Sequence, residues 1–203
     1  MRGFSLVELS IVLVILGLLT GGILTGQSLI RAAELRSITS EQQRLLTAVQ
    51  TFRDKYFALP GDMPNATRFW GRHSTDGWCV TNSAAAVNAA TGTCDGNGNG
   101  LLVPSVAASQ SGETFQFFRQ LALAGLMEGN YTGISGAAGT RQLVAGTNAP
   151  RGKISTSAWY IEGFAVHDGS SFAWAGNYGN PLIYGGVEAT DINETNILRP
   201  EEA

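Results

Sequence analysis

A chain of 203 residues with 44% hydrophobic and 14% charged residues is too apolar to be disordered, and it is long enough for one domain or a small domain with an appendage. A formal net charge of −3 argues against a dedicated nucleic-acid binder, so no nucleic-acid partner is expected. The 26 glycines imply a loop-rich body, and the two cysteines, Cys79 and Cys94, are too few for a disulfide scaffold but enough for one bridge.

The first element is apolar. Residues 9–30 carry no charge, and as a helix they would rise ~33 Å, about the hydrocarbon thickness of a bilayer. Arg2 precedes the run and Arg31 and Arg36 follow it, so flanking charge leaves the orientation open. A secretory signal peptide would have a short apolar core followed by a small-residue cleavage site. Here the core is long and continues into an amphipathic segment. Glu8 stands at the start of the run, where a carboxylate is costly and marks function. It also completes a capping box with Ser5 three residues earlier. The two readings are compatible at different stages, before and after processing. Gly17, Gly21, Gly22 and Gly26 interrupt the run, either for close helix–helix packing or as a segment that unwinds on leaving the bilayer.

Gly3-Phe4-Ser5-Leu6-Val7-Glu8-Leu9, followed by an apolar run, resembles the processing motif of type IV pilins and type II secretion pseudopilins. The resemblance implies that a membrane aspartyl peptidase, the prepilin peptidase, cuts between Gly3 and Phe4 and methylates the new amine of Phe4. It implies that Glu8 neutralises that amine on a neighbouring subunit during assembly, and that neither residue is catalytic. A glycine before the cut lets the backbone approach the peptidase closely. The leader Met1-Arg2-Gly3 is shorter and less basic than leaders of the family, which points to a misassigned start or a minimal leader.

From Arg31 to about Tyr56 the pattern turns amphipathic, with Leu35, Ile38, Leu45, Leu46, Val49, Phe52 and Tyr56 at helical spacings. One helix from Phe4 to about Phe57 would be ~80 Å long. Leu59-Pro60-Gly61-Asp62-Met63-Pro64 ends it, and residues 56–71 resemble a subset of proteobacterial pilin-like proteins. The expected organisation is a leader at 1–3, a transmembrane and assembly helix at 4–30, its amphipathic continuation at 31–58 and a periplasmic head at 59–203. The expected fold is α+β, a long N-terminal helix packed on a small antiparallel β-sheet head with a loop-rich insertion.

Within the head, Cys79 and Cys94 flank a small-residue loop, and the periplasmic setting that the resemblance implies favours a bridge between them. The rival is a metal site with His73 or His167, but the spacing does not suit zinc. Asp95, Asn97 and Asn99 place oxygen ligands at alternate positions with Gly100 sixth, the first half of a calcium loop. Val106 stands where the closing acid should be, so a plain Asn/Gly turn is the alternative. Some pseudopilins bind calcium in the head; no cofactor is required.

Residues 112–133 read as a second helix with Phe115, Phe118, Leu121, Ala122 and Leu126 on one face, closed by Gly125 to Gly129. Short strands are expected at 140–145, 156–166, 171–175 and 182–187. The tail, Pro200-Glu201-Glu202, reads as the first turn of a helix that goes on, so a longer natural chain is expected. His167, Asp168, Ser170 and Ser171 are too close in sequence to build a triad, which draws on separated segments. The expected function is structural, not enzymatic: a filament subunit that partners the prepilin peptidase, other pilin-like subunits, the inner-membrane assembly platform and inner-membrane lipid. A minor tip subunit with an adhesive role and a membrane-anchored periplasmic domain are the alternatives.

Overall fold

The computed structural model describes residues 5–73, 79, 91–104, 111–139, 141–154, 156–163 and 179–187. The chain forms two compact units, Met1–Glu41 and Gln42–Ala203. The secondary structure is α+β: helices α1 (Leu6–Tyr56), α2 (Ala66–Trp70) and α3 (Glu113–Leu123), then strands β1 (Ser157–Ile161) and β2 (Leu182–Gly186).

The first unit is the earlier part of α1. Ser5 caps it: the Val7 N–H donates to the Ser5 hydroxyl at 3.3 Å, and the Ser5 N–H donates to Glu8 at 2.8 Å. The expected capping box is therefore present. Thr20 and Thr25 return their hydroxyl protons to helix carbonyls one turn back, which hides their polarity within an apolar segment. Among the described residues this is the one helix long and apolar enough to cross a membrane; its most apolar window has mean hydropathy 2.4 and buries nothing.

The second unit begins before α1 ends. Leu45, Ala48 and Phe52 are buried one turn apart, so the final turns of the helix belong to the head. The compact units accordingly divide between Glu41 and Gln42. Leu46, read from the sequence as an inward position, is exposed because the buried stripe passes through Ala48 instead. α1 stops at Tyr56. Phe57 turns into the left-handed region (φ 54°), with its N–H still donating to the Arg53 carbonyl at 2.8 Å. Gly61 then takes φ 86° against the Glu113 carbonyl, where a side chain would collide.

α3 is the axis of the head. Every residue from Glu113 to Gln120, and Leu121 after them, is buried. One stripe, Phe115, Phe117, Phe118 and Leu121, makes the apolar core, with Phe115 against Tyr160 at a ring separation of 6.2 Å. The helix ends at Leu123, ten residues short of the expected limit. Gly125 adopts φ 72°, and the N–H groups of Gly125 and Leu126 close on the carbonyls of Ala122 and Leu121, each at 3.0 Å. Ala122 and Leu126 are only half-buried as a result.

The sheet is small. β1 and β2 pair antiparallel with Trp159 opposite Tyr184, their rings 4.6 Å apart. β1 is buried along its whole length and fills the centre of the expected 156–166 strand; β2 matches the expected 182–187. The expected strand at 140–145 is absent from its described residues. The Asn148 side chain takes the place of a strand partner there, accepting from the Val144 N–H at 2.8 Å and donating to the carbonyls of Ile134 and Gln142, both at 3.0 Å. The expected strand at 171–175, His167, Asp168, Ser170, Ser171, Val106 and the C-terminal tail lie outside the described residues.

Candidate functional site

Two places carry functional residues. The first is the N-terminal motif. Gly3 and Phe4 lie outside the described residues, whereas Glu8 is described. Its carboxylate is exposed and closes the capping box on Ser5, so it stands at the open, electropositive end of α1. Beyond it Leu6, Leu13, Leu18 and Leu24 are each more than half exposed, and no side chain of this segment is buried. A surface this apolar on all sides of a helix calls for an apolar environment, and among the described residues none covers it.

The second is a ribbon of the head, residues 92–103, whose backbone is bonded mainly to side chains rather than to a strand. The Arg119 guanidinium donates to the carbonyls of Gly92 (2.5 Å) and Tyr131 (2.6 Å). Gln116 accepts from the Thr93 hydroxyl at 2.7 Å. Gln120 donates to the Cys94 carbonyl at 3.1 Å and accepts from the Gly61 N–H at 2.7 Å. Glu113 accepts from the N–H groups of Asn97 (3.0 Å) and Val103 (3.1 Å), and Asp62 from those of Gly98 (2.6 Å) and Gly100 (2.7 Å). Asn180 accepts from Leu102 and donates to Gly100, both at 2.7 Å, as a strand neighbour would. Buried polar groups on α3 are thus spent on an irregular segment that would otherwise have unpaired amides.

Cys79 and Cys94 form a disulfide with their Cα atoms 5.3 Å apart, closing a 15-residue separation. Cys94 is buried, so the bridge ties Cys79 to the core ribbon. Asp95 faces α2, accepting from the Thr67 N–H (2.7 Å) and hydroxyl (2.9 Å). Asn97 and Asn99 each accept the N–H two residues ahead, at 2.9 and 2.8 Å. The side-chain oxygens of Asp95, Asn97 and Asn99 each accept a backbone or hydroxyl hydrogen bond, and those of Asn97 and Asn99 close Asx turns. The inward side of the ribbon presents its N–H groups to the carboxylates of Asp62 and Glu113. Among the described residues no three His, Cys, Asp or Glu side chains come together as a metal-binding group. Burial, followed by the charge of Arg119, lowers the pKa of His73.

A cleft of about 720 Å³ lies between the end of α1, at Arg53 and Phe57, and the ribbon, at Asp62, Gly98, Gly100 and Asn180. Phe57 is 93% exposed at its mouth.

The sequence reading did not single out Asp62, Glu113, Gln116, Arg119, Gln120 or Asn180. The signal that existed was the spacing of Glu113, Gln116 and Gln120, which puts three polar side chains on one stripe of α3 beside the phenylalanine stripe. A stripe of that kind is usually the solvated face; here it is buried against the ribbon.

The N-terminal motif thus opens, through a Ser5–Glu8 cap, an apolar stretch of helix in which no described side chain is buried. Residues 1–24 match the family described as Prokaryotic N-terminal methylation motif, which supports recognition of the chain as type IV pilin-like. That family is structural rather than enzymatic. The match covers the N-terminal segment, and the head is described by its own structure. Comparison with curated proteins and with solved structures gives no match.

Proposed function

We propose that the protein is a structural subunit of a type IV pilus or a type II secretion pseudopilus. The prepilin peptidase cuts between Gly3 and Phe4 and methylates Phe4. The apolar stretch of α1 then holds the subunit in the inner membrane with its head in the periplasm, until the inner-membrane assembly platform passes it into a filament of pilin-like subunits. The observation that carries this reading is the exposed, uncharged helix behind a methylation motif, with Glu8 as the sole carboxylate at its start.

Glu8 serves two stages. Before processing its carboxylate caps its own helix through Ser5. Afterwards Ser5 is the second residue, and the carboxylate lies beside a free cationic amine. Inside a bundle of apolar helices the amine of an incoming subunit and the carboxylate of its neighbour neutralise each other. Removing one partner of such a buried pair costs ~3–5 kcal/mol, enough to make axial register depend on it.

The test is Glu8→Ala expressed in the host, with the sheared filament fraction and the membrane fraction both probed. The reading predicts normal membrane accumulation and no filaments. Filaments at wild-type yield would remove the pairing role of Glu8. Copy number relative to the other filament subunits separates a major subunit from an adhesive tip subunit.

A further inference from the structure

Phe57 breaks two rules at once. It stands just past the last turn of α1 in the left-handed region, at φ 54°, a position that glycine usually fills. Its ring is also 93% exposed and stacks on no other ring among the described residues. The ring of Tyr56 beside it, by contrast, packs against Phe52, Phe69 and Trp70. An aromatic side chain that is both strained and uncovered points to a contact made outside the chain.

The ring stands at the mouth of the cleft of about 720 Å³, a volume within the ~300–1,000 Å³ of small-ligand sites. The two walls of that cleft differ. The ribbon wall is complete in itself: each N–H from Asn97 to Val103 is taken by a side-chain oxygen of Glu113, Asp62, Asn97, Asn99 or Asn180. The α1 wall is not. Gln50, Arg53 and Asp54 line it and are exposed, and among the described residues their side chains make no hydrogen bond or ion pair within the chain. We propose that this cleft binds a short neutral oligosaccharide, with one pyranose ring stacked on Phe57 and its hydroxyls bonded to Gln50, Arg53 and Asp54.

Other ligand classes ask for groups that are already used. An anion needs free N–H groups, and those of residues 97–103 are all taken; the carbonyl end of α1 opposes negative charge as well. A metal cation needs converging free oxygens, but both oxygens of Asp62 accept amides, from Gly98 and Gly100. A peptide strand added along the ribbon needs unpaired amides there. A sugar needs what the α1 wall offers. An amide, a guanidinium and a carboxylate together donate to and accept from hydroxyls, and an aromatic face receives the C–H face of the ring. Arg53 and Asp54 contribute one charge of each sign, which suits a neutral ligand. Gly98 and Gly100 leave the opposite wall without side chains, and a Cβ at Gly100 would meet nothing within 4 Å, so the ligand can lie close to the backbone. The amide bonds that hold this wall fix its shape before the ligand arrives.

The test is an NMR titration of the full chain, with ring-labelled phenylalanine, in phosphocholine micelles, which carry no sugar head group. The probes are neutral trisaccharides of glucose, galactose, mannose and N-acetylglucosamine. At least one should shift the Phe57 ring signals saturably at millimolar concentration. Phe57→Ala should weaken that binding by about tenfold or more. Phe57→Gly should weaken it as much without lowering the urea midpoint, because glycine fits φ 54°, and this separates loss of ligand from loss of fold. Lys55→Ala, whose ammonium lies over the Tyr56 ring, should bind as the wild type does. Four results overturn the proposal: no saturable shift with any of the sugars, wild-type affinity in Phe57→Ala, an equal loss in Lys55→Ala, or Phe57 signals that move with protein concentration and not with sugar, which would assign the cleft to a second copy of the chain. Binding is read on the unassembled subunit, so its outcome is separate from that of filament assembly.

Discussion

Leu18, in the apolar stretch of α1, is 73% exposed, whereas Phe117 of α3 is 1% exposed and so are the polar residues beside it to within a few percent. The first region is apolar and covers nothing; the second is mixed and covers everything, including a glutamate, two glutamines and an arginine. Both obey one rule, that the character of a surface must match what surrounds it. The head satisfies the rule internally, Glu113, Gln116, Arg119 and Gln120 of α3 each holding part of an irregular ribbon. The apolar stretch of α1 finds no such match among the described residues; in the proposed function lipid and then other helices supply it. A region whose chemistry is incomplete within the chain is where function is to be sought, and that is where the methylation motif lies.

Substitutions that break this contrast should separate cleanly. The largest effects fall on assembly: Gly3→Val should stop cleavage, leaving an unprocessed, membrane-bound chain on immunoblots and no filaments, with no change in the head. Next is Phe52→Ala, at the fully buried contact of α1 with the head, which should cost about 3–5 kcal/mol. All four tryptophans lie in the second unit, so urea unfolding followed by fluorescence reads the head alone. Replacing both cysteines by serine should lower the same midpoint by an amount worth ~3 kcal/mol, the loop-closure value for a bridge of this length. Gln120→Ala should cost about 1–3 kcal/mol, because the Gly61 N–H and the Cys94 carbonyl each lose a partner.

The smallest effect sharpens the comparison. The raised pKa of Glu113 means that the folded head holds a proton that the unfolded chain lacks between 4.5 and the raised value. Stability contributed by Glu113 therefore increases as pH falls through that window and is complete below 4.5. The urea midpoint should be higher at pH 5 than at pH 8, and Glu113→Gln should flatten the part that Glu113 supplies. By contrast Leu18→Ala should leave the midpoint unchanged at every pH.

The apolar helix was legible in the sequence because its signals are local: an uncharged run, a cap at Ser5 and Glu8, and a stop at Pro60-Gly61. α3 ends ten residues before the expected limit because Gly125, one of the expected closing residues, turns to φ 72° and stops the helix at once. The 140–145 strand failed for a different reason. Its apolar residues suit a strand, but pairing is supplied by the side chain of Asn148, which no periodicity reveals. The spacing of Asp95, Asn97 and Asn99 serves a calcium loop and an Asx turn alike, and the long-range partner of Asp95, Thr67, 28 residues away, is not legible in that spacing. The ribbon itself was invisible because its partners, Asp62, α3 and Asn180, are far apart in the chain.

The central claim is that the exposed helix is a processed assembly segment. Intact-mass and N-terminal peptide analysis of the protein from its host membrane fraction tests it most directly. The account predicts a mature chain that begins at Phe4 with a methylated amine. A chain that retains Met1, or one cleaved after the apolar run, would contradict it and leave an anchored or secreted periplasmic domain in place of a filament subunit.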